Sequence, residues 1–161
     1  MSRTLGALAL VASISFLGTG TAAADINSRG VIGAFTGQLV ISQGDLPEGK
    51  NDRDTISKIK AAQLKELQGE PNADVQQWHF HYTAFLRRAG ASSLQIKFFT
   101  NDKDQKYVAN QRLDGADPKS PVLTGDISIN EDEGLTKGKS YLVKLVTDSD
   151  SVVASAQLVM K

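Results

Sequence analysis

The chain has 161 residues with 18 basic and 18 acidic side chains, so it carries no formal net charge. The sequence shows neither a basic face that would indicate nucleic-acid binding nor a polybasic run that would indicate binding to anionic lipid. The chain contains no cysteine, which excludes disulfides, thiolate metal sites and a cysteine nucleophile.

Residues 1–24 have the three-part pattern of a secretory signal peptide. Arg3 supplies the positive charge, and an uncharged, mostly apolar run follows at 5–17. This run is too short to span a bilayer, and the three alanines at 22–24 form a cleavage site of the A-x-A type. We therefore expect a bacterial protein exported to the periplasm or the medium. Its mature part, residues 25–161, is expected to be a single domain without a membrane span.

Period-2 alternation of apolar side chains predicts about seven strands. They are expected at 31–42, 75–88, 93–100, 106–113, 122–129, 140–147 and 151–161. The short connections in the second half leave no room for the crossover helices of a parallel sheet. We therefore expect a mainly β fold, with two antiparallel sheets packed as a sandwich. The shared strand faces predict a buried core of Trp78, Phe80, Tyr82, Leu94, Ile96, Phe98, Tyr141, Val143, Leu145 and Leu158.

One segment between the first two predicted strands has a helical pattern. A helix over 52–68 places four apolar side chains on one stripe: Ile56, Ile59, Leu64 and Leu67. Asp52 or Asp54 is the expected N-terminal cap, and Gly69 with Pro71 is expected to end the helix. A helix this short persists in water only when docked, so we expect it to lie on an outer face of the sandwich.

The last third of the chain resembles the end of immunoglobulin-like and fibronectin type III-like sandwiches. Leu135, Gly138 and Tyr141 precede a strand that a tight hairpin joins to the last strand. The resemblance implies that Tyr141 bonds back across a corner, with Leu135 packed beneath it. The inserted helix departs from both families, and the lack of cysteine departs from antibody domains. The resemblance implies a fold without implying a function.

Both histidines of the chain lie in the second predicted strand. His79 and His81 share one strand face, opposite to Trp78. Such a pair suits a zinc or copper ion, but the site needs a third ligand, which here would be a carboxylate from a neighbouring strand or loop. The competing interpretation is an ordinary strand face that is exposed to solvent or covered by the helix.

Two acidic loops offer a second candidate for a metal. Asp102 with Asp104 and the run 131–133 are expected to share one end of the sandwich. Their oxygens would suit calcium, although the spacing does not match an EF-hand loop. Aspartate is also common in turns, and this is the competing interpretation.

Several strands are apolar on their second face as well, at Phe85, Phe99, Leu142, Val146, Val153 and Val159. All but the first of these form one patch if the third, sixth and seventh strands are neighbours. A contiguous apolar patch needs a cover. The inserted helix is the expected cover, and a partner or a second copy of the chain is the alternative.

The sequence contains no nucleophile elbow and no phosphate-binding glycine loop, so we expect neither an enzyme nor a cofactor. The predicted role is an exported binding or interaction module for an unknown protein or glycan of the cell envelope. One alternative is a periplasmic metal-binding or carrier protein that uses His79 and His81. The other is a small carbohydrate-active hydrolase with convergent carboxylates.

Overall fold

The computed structural model describes residues 25–71, 75–88, 90, 93–113, 117 and 119–161. The predicted signal peptide lies outside these residues. The described part forms two sheets with nine strands and two α-helices. The predicted mainly β, two-sheet fold is confirmed, whereas the expected number of about seven strands is not. No helix of the described part is long and apolar enough to cross a membrane.

The elements follow one another as helix, strand, helix and then a series of strands. The helices are α1 (Arg29–Phe35) and α2 (Asp52–Ala62), and a single 3₁₀ turn spans Glu131–Glu133. The strands are β1 (Leu39–Ser42), β2 (Glu66–Leu67), β3 (Glu70–Pro71), β4 (Gln76–Phe85), β5 (Leu94–Thr100), β6 (Tyr107–Leu113), β7 (Val122–Asn130), β8 (Ser140–Thr147) and β9 (Val152–Met160).

The two sheets differ in size and order. In the four-stranded sheet, β4 is central, with β1 and β3 along one side and β7 along the other. The five-stranded sheet has the order β2-β9-β8-β5-β6. Its pairs are antiparallel except that β2 runs parallel to β9.

The main core lies between the two sheets. All ten predicted core residues are buried, which confirms the strand face assigned to each of these ten. Trp78 is fully enclosed, and its indole N–H donates to the carbonyl of Lys161 at 3.3 Å. This bond fixes the end of the chain beside the centre of the core.

The prediction of a strand over 31–42 is wrong in its first half. Residues 29–35 form α1, whose N-terminal cap is Ser28; its hydroxyl accepts from the N–H of Val31 at 3.3 Å. Val31 and Phe35, together with Leu39 and Ile41, are the apolar residues whose alternation predicted a strand. Val31 and Phe35 are four apart, and this spacing fits one face of a strand and one face of a helix equally well.

The predicted helix over 52–68 is too long. Asn51 caps α2 instead of an aspartate, and the helix ends at Ala62. The N–H of Leu64 donates to the carbonyl of Ile41 at 2.8 Å, and Leu67 lies in β2 within the main core. Pairing with neighbouring strands outweighs the weak helical preference of this segment.

Both helices pack on the outer face of the four-stranded sheet, which we call the covered face. Its apolar side chains on the strands are Val40, Phe85 and Val122, and the helices contribute Val31, Phe35 and Ile59. The rings of Phe35 and Phe85 stack with centroids 5.1 Å apart. The prediction that the inserted helix packs on an outer sheet face is therefore confirmed. The patch that it was expected to cover lies on the other sheet, and that part of the expectation is wrong.

The close approach of the two helices depends on a glycine. The Ser28 hydroxyl at the start of α1 donates to Asp52 Oδ1 at 2.8 Å. A Cβ added at Gly30 would collide with the Asp52 carboxylate, so a larger residue there would disturb the Ser28–Asp52 contact between the helices.

Candidate functional site

The outer face of the five-stranded sheet carries the predicted apolar patch in altered form. β5, β8 and β9 are neighbours, as the patch requires. The register between β8 and β9 shifts after Leu145, so that Val146 faces Val152. Val153 consequently points into the main core, and its predicted place on the outer face is wrong.

This outer surface forms a shallow groove of about 390 Å³. We call it the open face and define it by Lys97, Phe99, Tyr107, Lys144, Val146 and Val152. Among the described residues, Tyr107 and Val152 are the exposed large apolar side chains, at 56% and 36% exposure. Val146 is buried at the floor of the groove.

Aromatic and cationic side chains contact one another on the open face. The rings of Phe99 and Tyr107 meet edge to face with centroids 6.1 Å apart. The Lys144 ammonium lies 4.6 Å from the centre of the Phe99 ring, within the range of a cation–π contact. Lys97 forms an ion pair with Asp150 at 2.5 Å. The groove therefore holds rings, ammonium groups and a carboxylate in fixed positions.

Amide side chains border the same groove. The Tyr107 hydroxyl donates to Asn110 Oδ1 at 2.9 Å, and the Asn110 amide donates to Gln95 Oε1 at 3.1 Å. Lys144 donates to Gln105 Oε1 at 2.8 Å. Polar side chains that can form hydrogen bonds thus border the groove next to β6, and the groove stays accessible to solvent.

The two histidines have different surroundings. His79 is exposed, and its Nδ1 lies 2.7 Å from the Ser128 hydroxyl. His81 is only 8% exposed, and its Nδ1 lies 3.0 Å from Asp126 Oδ1. Its Nε2 has no hydrogen-bond partner and lies 3.6 Å from Asp45 Oδ1, in the loop between β1 and α2.

Carboxylates therefore stand beside one of the predicted metal ligands. The contact of His81 Nδ1 with Asp126 fixes the orientation of the imidazole ring. It also occupies this nitrogen, which therefore does not face a metal ion. Within the described residues, no three histidine or carboxylate side chains converge on a point that could hold a metal ion. Asp126 also acts on Tyr82: burial, and secondly the charge of Asp126, raise the pKa of the Tyr82 phenol.

The β5–β6 loop, which carries Asp102, contacts the start of β8, the strand that follows the acidic run 131–133. The backbone N–H of Asn101 donates to the carbonyl of Ser140 at 3.2 Å. Asp102 accepts from the Thr100 hydroxyl and from the N–H groups of Asp104 and Gln105, at 2.9 to 3.0 Å. The Thr100 bond is the main reason that the pKa of Asp102 lies below its usual range. Asp102 thus acts as a turn residue.

Sequence reasoning missed Tyr107 as a surface residue. The segment 106–113 has a weak alternation, and a register shift between Phe98 and Phe99 brings Tyr107 opposite Phe99. The sequence feature that could have indicated an exposed Tyr107 is its position close to the acidic turn 101–104. The exposure of its ring depends on which neighbours the sheet supplies.

No protein-family model matches the chain, and no curated protein matches it. Among solved structures, the chain matches a beta-glucosidase from Kluyveromyces marxianus in complex with glucose, with 15% identity and a TM-score of 0.31. The match covers 60% of this chain and 14% of that enzyme's chain. This likeness is too distant to carry an argument about fold or function.

Proposed function

We propose that the protein is an exported, non-enzymatic binding module that holds a glycan on its open face. The observation that carries the proposal is the exposed ring of Tyr107 beside Phe99, on the sheet face that no described helix covers. A large aromatic side chain that is exposed to water at a groove favours ligand binding, because burying the ring against a ligand would be favourable.

The chemistry of the groove favours a glycan over a protein. A sugar ring presents C–H groups that pack on an aromatic face and hydroxyls that bond to amides and ammonium groups. Tyr107 with Asn110 offers this combination, and Lys144 adds an ammonium group. The centres of protein–protein interfaces are depleted in lysine, and two lysines frame this groove.

The module in this proposal is an immunoglobulin-like sandwich of the fibronectin type III kind. One support is the strand order: β1-β4-β7 in one sheet, and β5-β8-β9 as consecutive neighbours in the other. A second is Tyr141, whose hydroxyl accepts from the N–H of Thr136 at 2.8 Å. Leu135 is fully buried beside this corner.

Export rests on the pattern of residues 1–24. The expected species in the periplasm or the medium is a chain that begins at Asp25. Intact-mass measurement of the exported pool tests this, and a chain that still carries residues 1–24 would contradict it.

The glycan is tested with a panel of soluble oligosaccharides from peptidoglycan, chitin and cellulose. Tyr107→Ala is expected to weaken binding about tenfold, because a lost ring contact costs about 1.4 kcal/mol. Tyr107→Phe keeps the ring and should retain most of the affinity. Lys60→Ala, on the exposed side of α2, is the matched control and should bind like the original protein.

Three results would contradict the proposal. Binding of no oligosaccharide, together with saturable binding of an envelope protein at the open face, would favour a protein partner. Equal affinity of Tyr107→Ala and the original protein would place the site elsewhere. New reducing ends during the assay would show a hydrolase instead of a binding module.

A further inference from the structure

A second cavity, of about 330 Å³, lies where the chain leaves β4, at the end of the sandwich next to the β8–β9 hairpin. Arg87 and Arg88 line it from one side. Thr147, Ser149 and Ser151 line it from the hairpin. This volume is at the lower end of the range for small-molecule sites. Two arginines and three hydroxyl-bearing residues therefore line one cavity.

The fold sets the position of Arg87. Its backbone N–H donates to the carbonyl of Val153 in β9 at 3.0 Å, which ties the end of β4 to the other sheet. Its side chain lies against Gly37, where an added Cβ would come within 2.4 Å of Nε. Gly37 has a φ of +81°, a conformation that favours glycine. The turn therefore favours glycine at this position, and the absence of a side chain leaves room for Arg87.

The acidic residues of the hairpin point away from the cavity. Asp148 Oδ1 accepts from the Ser93 hydroxyl at 3.0 Å, and Asp150 pairs with Lys97. Both carboxylates are thereby held towards β5. Within the part of the chain that the structure describes, neither Arg87 nor Arg88 has an ion-pair partner. The cavity therefore keeps two positive charges without a lining carboxylate.

The hydroxyl groups of the β8–β9 hairpin can donate hydrogen bonds to a ligand. The Thr147 and Ser149 hydroxyls lie 2.9 Å apart, so one of their two hydrogens bonds between them and the other is free. Ser151 contributes a third hydroxyl. Two guanidinium forks and these hydroxyls exceed what the two oxygens of a carboxylate accept, but they suit the three or four oxygens of a phosphate.

We infer that this cavity binds a phosphate group, with Arg87 and Arg88 as the charged ligands and the hairpin hydroxyls as further donors. The inference does not depend on the glycan, because the cavity shares only Val152 with the open face. Free phosphate, a phosphorylated small molecule and a phospholipid headgroup all carry this chemistry. Phosphate is favoured over chloride, because a guanidinium fork matches two oxygens of a phosphate.

The test is a titration of the ¹⁵N-labelled protein with sodium phosphate at constant ionic strength, followed by backbone amide shifts. The amides of Arg87, Arg88 and residues 147–151 should shift and saturate. Arg88→Gln should weaken binding at least tenfold, and Arg88→Lys should give an intermediate loss. Arg53→Gln removes an exposed arginine on α2 and should change nothing.

Further experiments distinguish a phosphorylated small molecule from a phospholipid headgroup. Binding of sodium phosphate and glycerol phosphate without sedimentation on vesicles supports a small-molecule site. Sedimentation with phosphatidylglycerol vesicles but not phosphatidylcholine, lost in Arg88→Gln, supports a headgroup site. Shifts that do not saturate, or that persist in Arg88→Gln, overturn the inference. Tyr107→Ala should leave phosphate binding unchanged, so a failure here is distinguishable from a failure of the glycan proposal.

Discussion

The outer faces of the two sheets differ in what lies on them. On the covered face, α1 and α2 close over Val40, Phe85 and Val122, and the result is a second apolar cluster. On the open face, lysine side chains and a single exposed tyrosine ring lie over a valine floor. The same period-2 pattern of apolar residues therefore produced a core in one sheet and an accessible groove in the other. An apolar second face in a strand does not by itself indicate a partner.

The largest expected difference between the two faces is in stability. Phe85→Ala removes a fully buried ring that stacks on Phe35, and it should cost about 3–5 kcal/mol of the free energy of unfolding. Tyr107→Ala removes a ring that is 56% exposed and should change this free energy by no more than about 0.5 kcal/mol. Urea denaturation of both variants measures this. Similar losses would mean that the open face is as tightly packed as the covered one.

The next prediction concerns the helical layer itself. Ile59 is fully buried between α2 and the sheet, so Ile59→Ala should cost about 2–5 kcal/mol and increase the binding of a hydrophobic dye. Ile56→Ala is the matched control, because this side chain on the same helix is partly exposed. The dye signal and the urea midpoint are the measurements. Equal effects at 56 and 59 would show that α2 is not seated on the sheet as described.

The two histidines should differ in the same sense as their burial. His81→Ala removes a buried ring bonded to Asp126 and should cost about 1–3 kcal/mol. His79→Ala affects an exposed ring and should stay within about 0.5 kcal/mol. Thermal denaturation of both variants compares them. A larger loss for His79 would indicate that its contact with Ser128 holds the strand pair, contrary to this account.

The smallest expected effects concern the loss of stability at low pH. The backbone N–H of Lys50 and then the Lys58 side chain hold the pKa of Asp54 below its usual value of 3.8, and Asp102 is lowered in the same sense. A carboxyl with a lowered folded-state pKa stabilises the protein above its unfolded pKa. That stability is lost as the pH falls through the folded value.

Asp54→Asn and Asp102→Asn should therefore each make the stability of the protein slightly less sensitive to pH below about pH 4. Asp54 lies in the first turn of α2, the helix that packs on the covered face, and Asp102 lies in the β5–β6 loop. Urea midpoints at about pH 6 and about pH 3 measure the change. An unchanged acid loss in either variant would show that its bonds do not persist in solution.

Alternation alone predicted the strands that have one face in the main core. β4 is the clearest example, since Trp78, Phe80 and Tyr82 alternate with polar residues. The pattern failed at Val31 and Phe35, because a spacing of four fits both kinds of element. It failed again beyond Ala62, where strand pairing replaces the helix.

The candidate sites were less predictable than the fold. Sequence analysis singled out His79 and His81, and it could not show that Asp126 and Asp45 approach only the second of them. The open face depends on register shifts next to Phe98 and Leu145, which no residue pattern reveals. Surface chemistry of this kind depends on which strands become neighbours and in which register.

The most direct test of the open face uses the three tyrosines of the chain as separate reporters. In protein labelled with 3-fluorotyrosine, Tyr82 and Tyr141 report from buried positions and Tyr107 reports from the groove. Titration with the peptidoglycan, chitin and cellulose oligosaccharides should shift the ¹⁹F resonance of Tyr107 in a saturable way and leave the other two in place. A shift confined to Tyr82, which lies near Asp126 and His81, or no shift of Tyr107 with a bound oligosaccharide, would contradict the account.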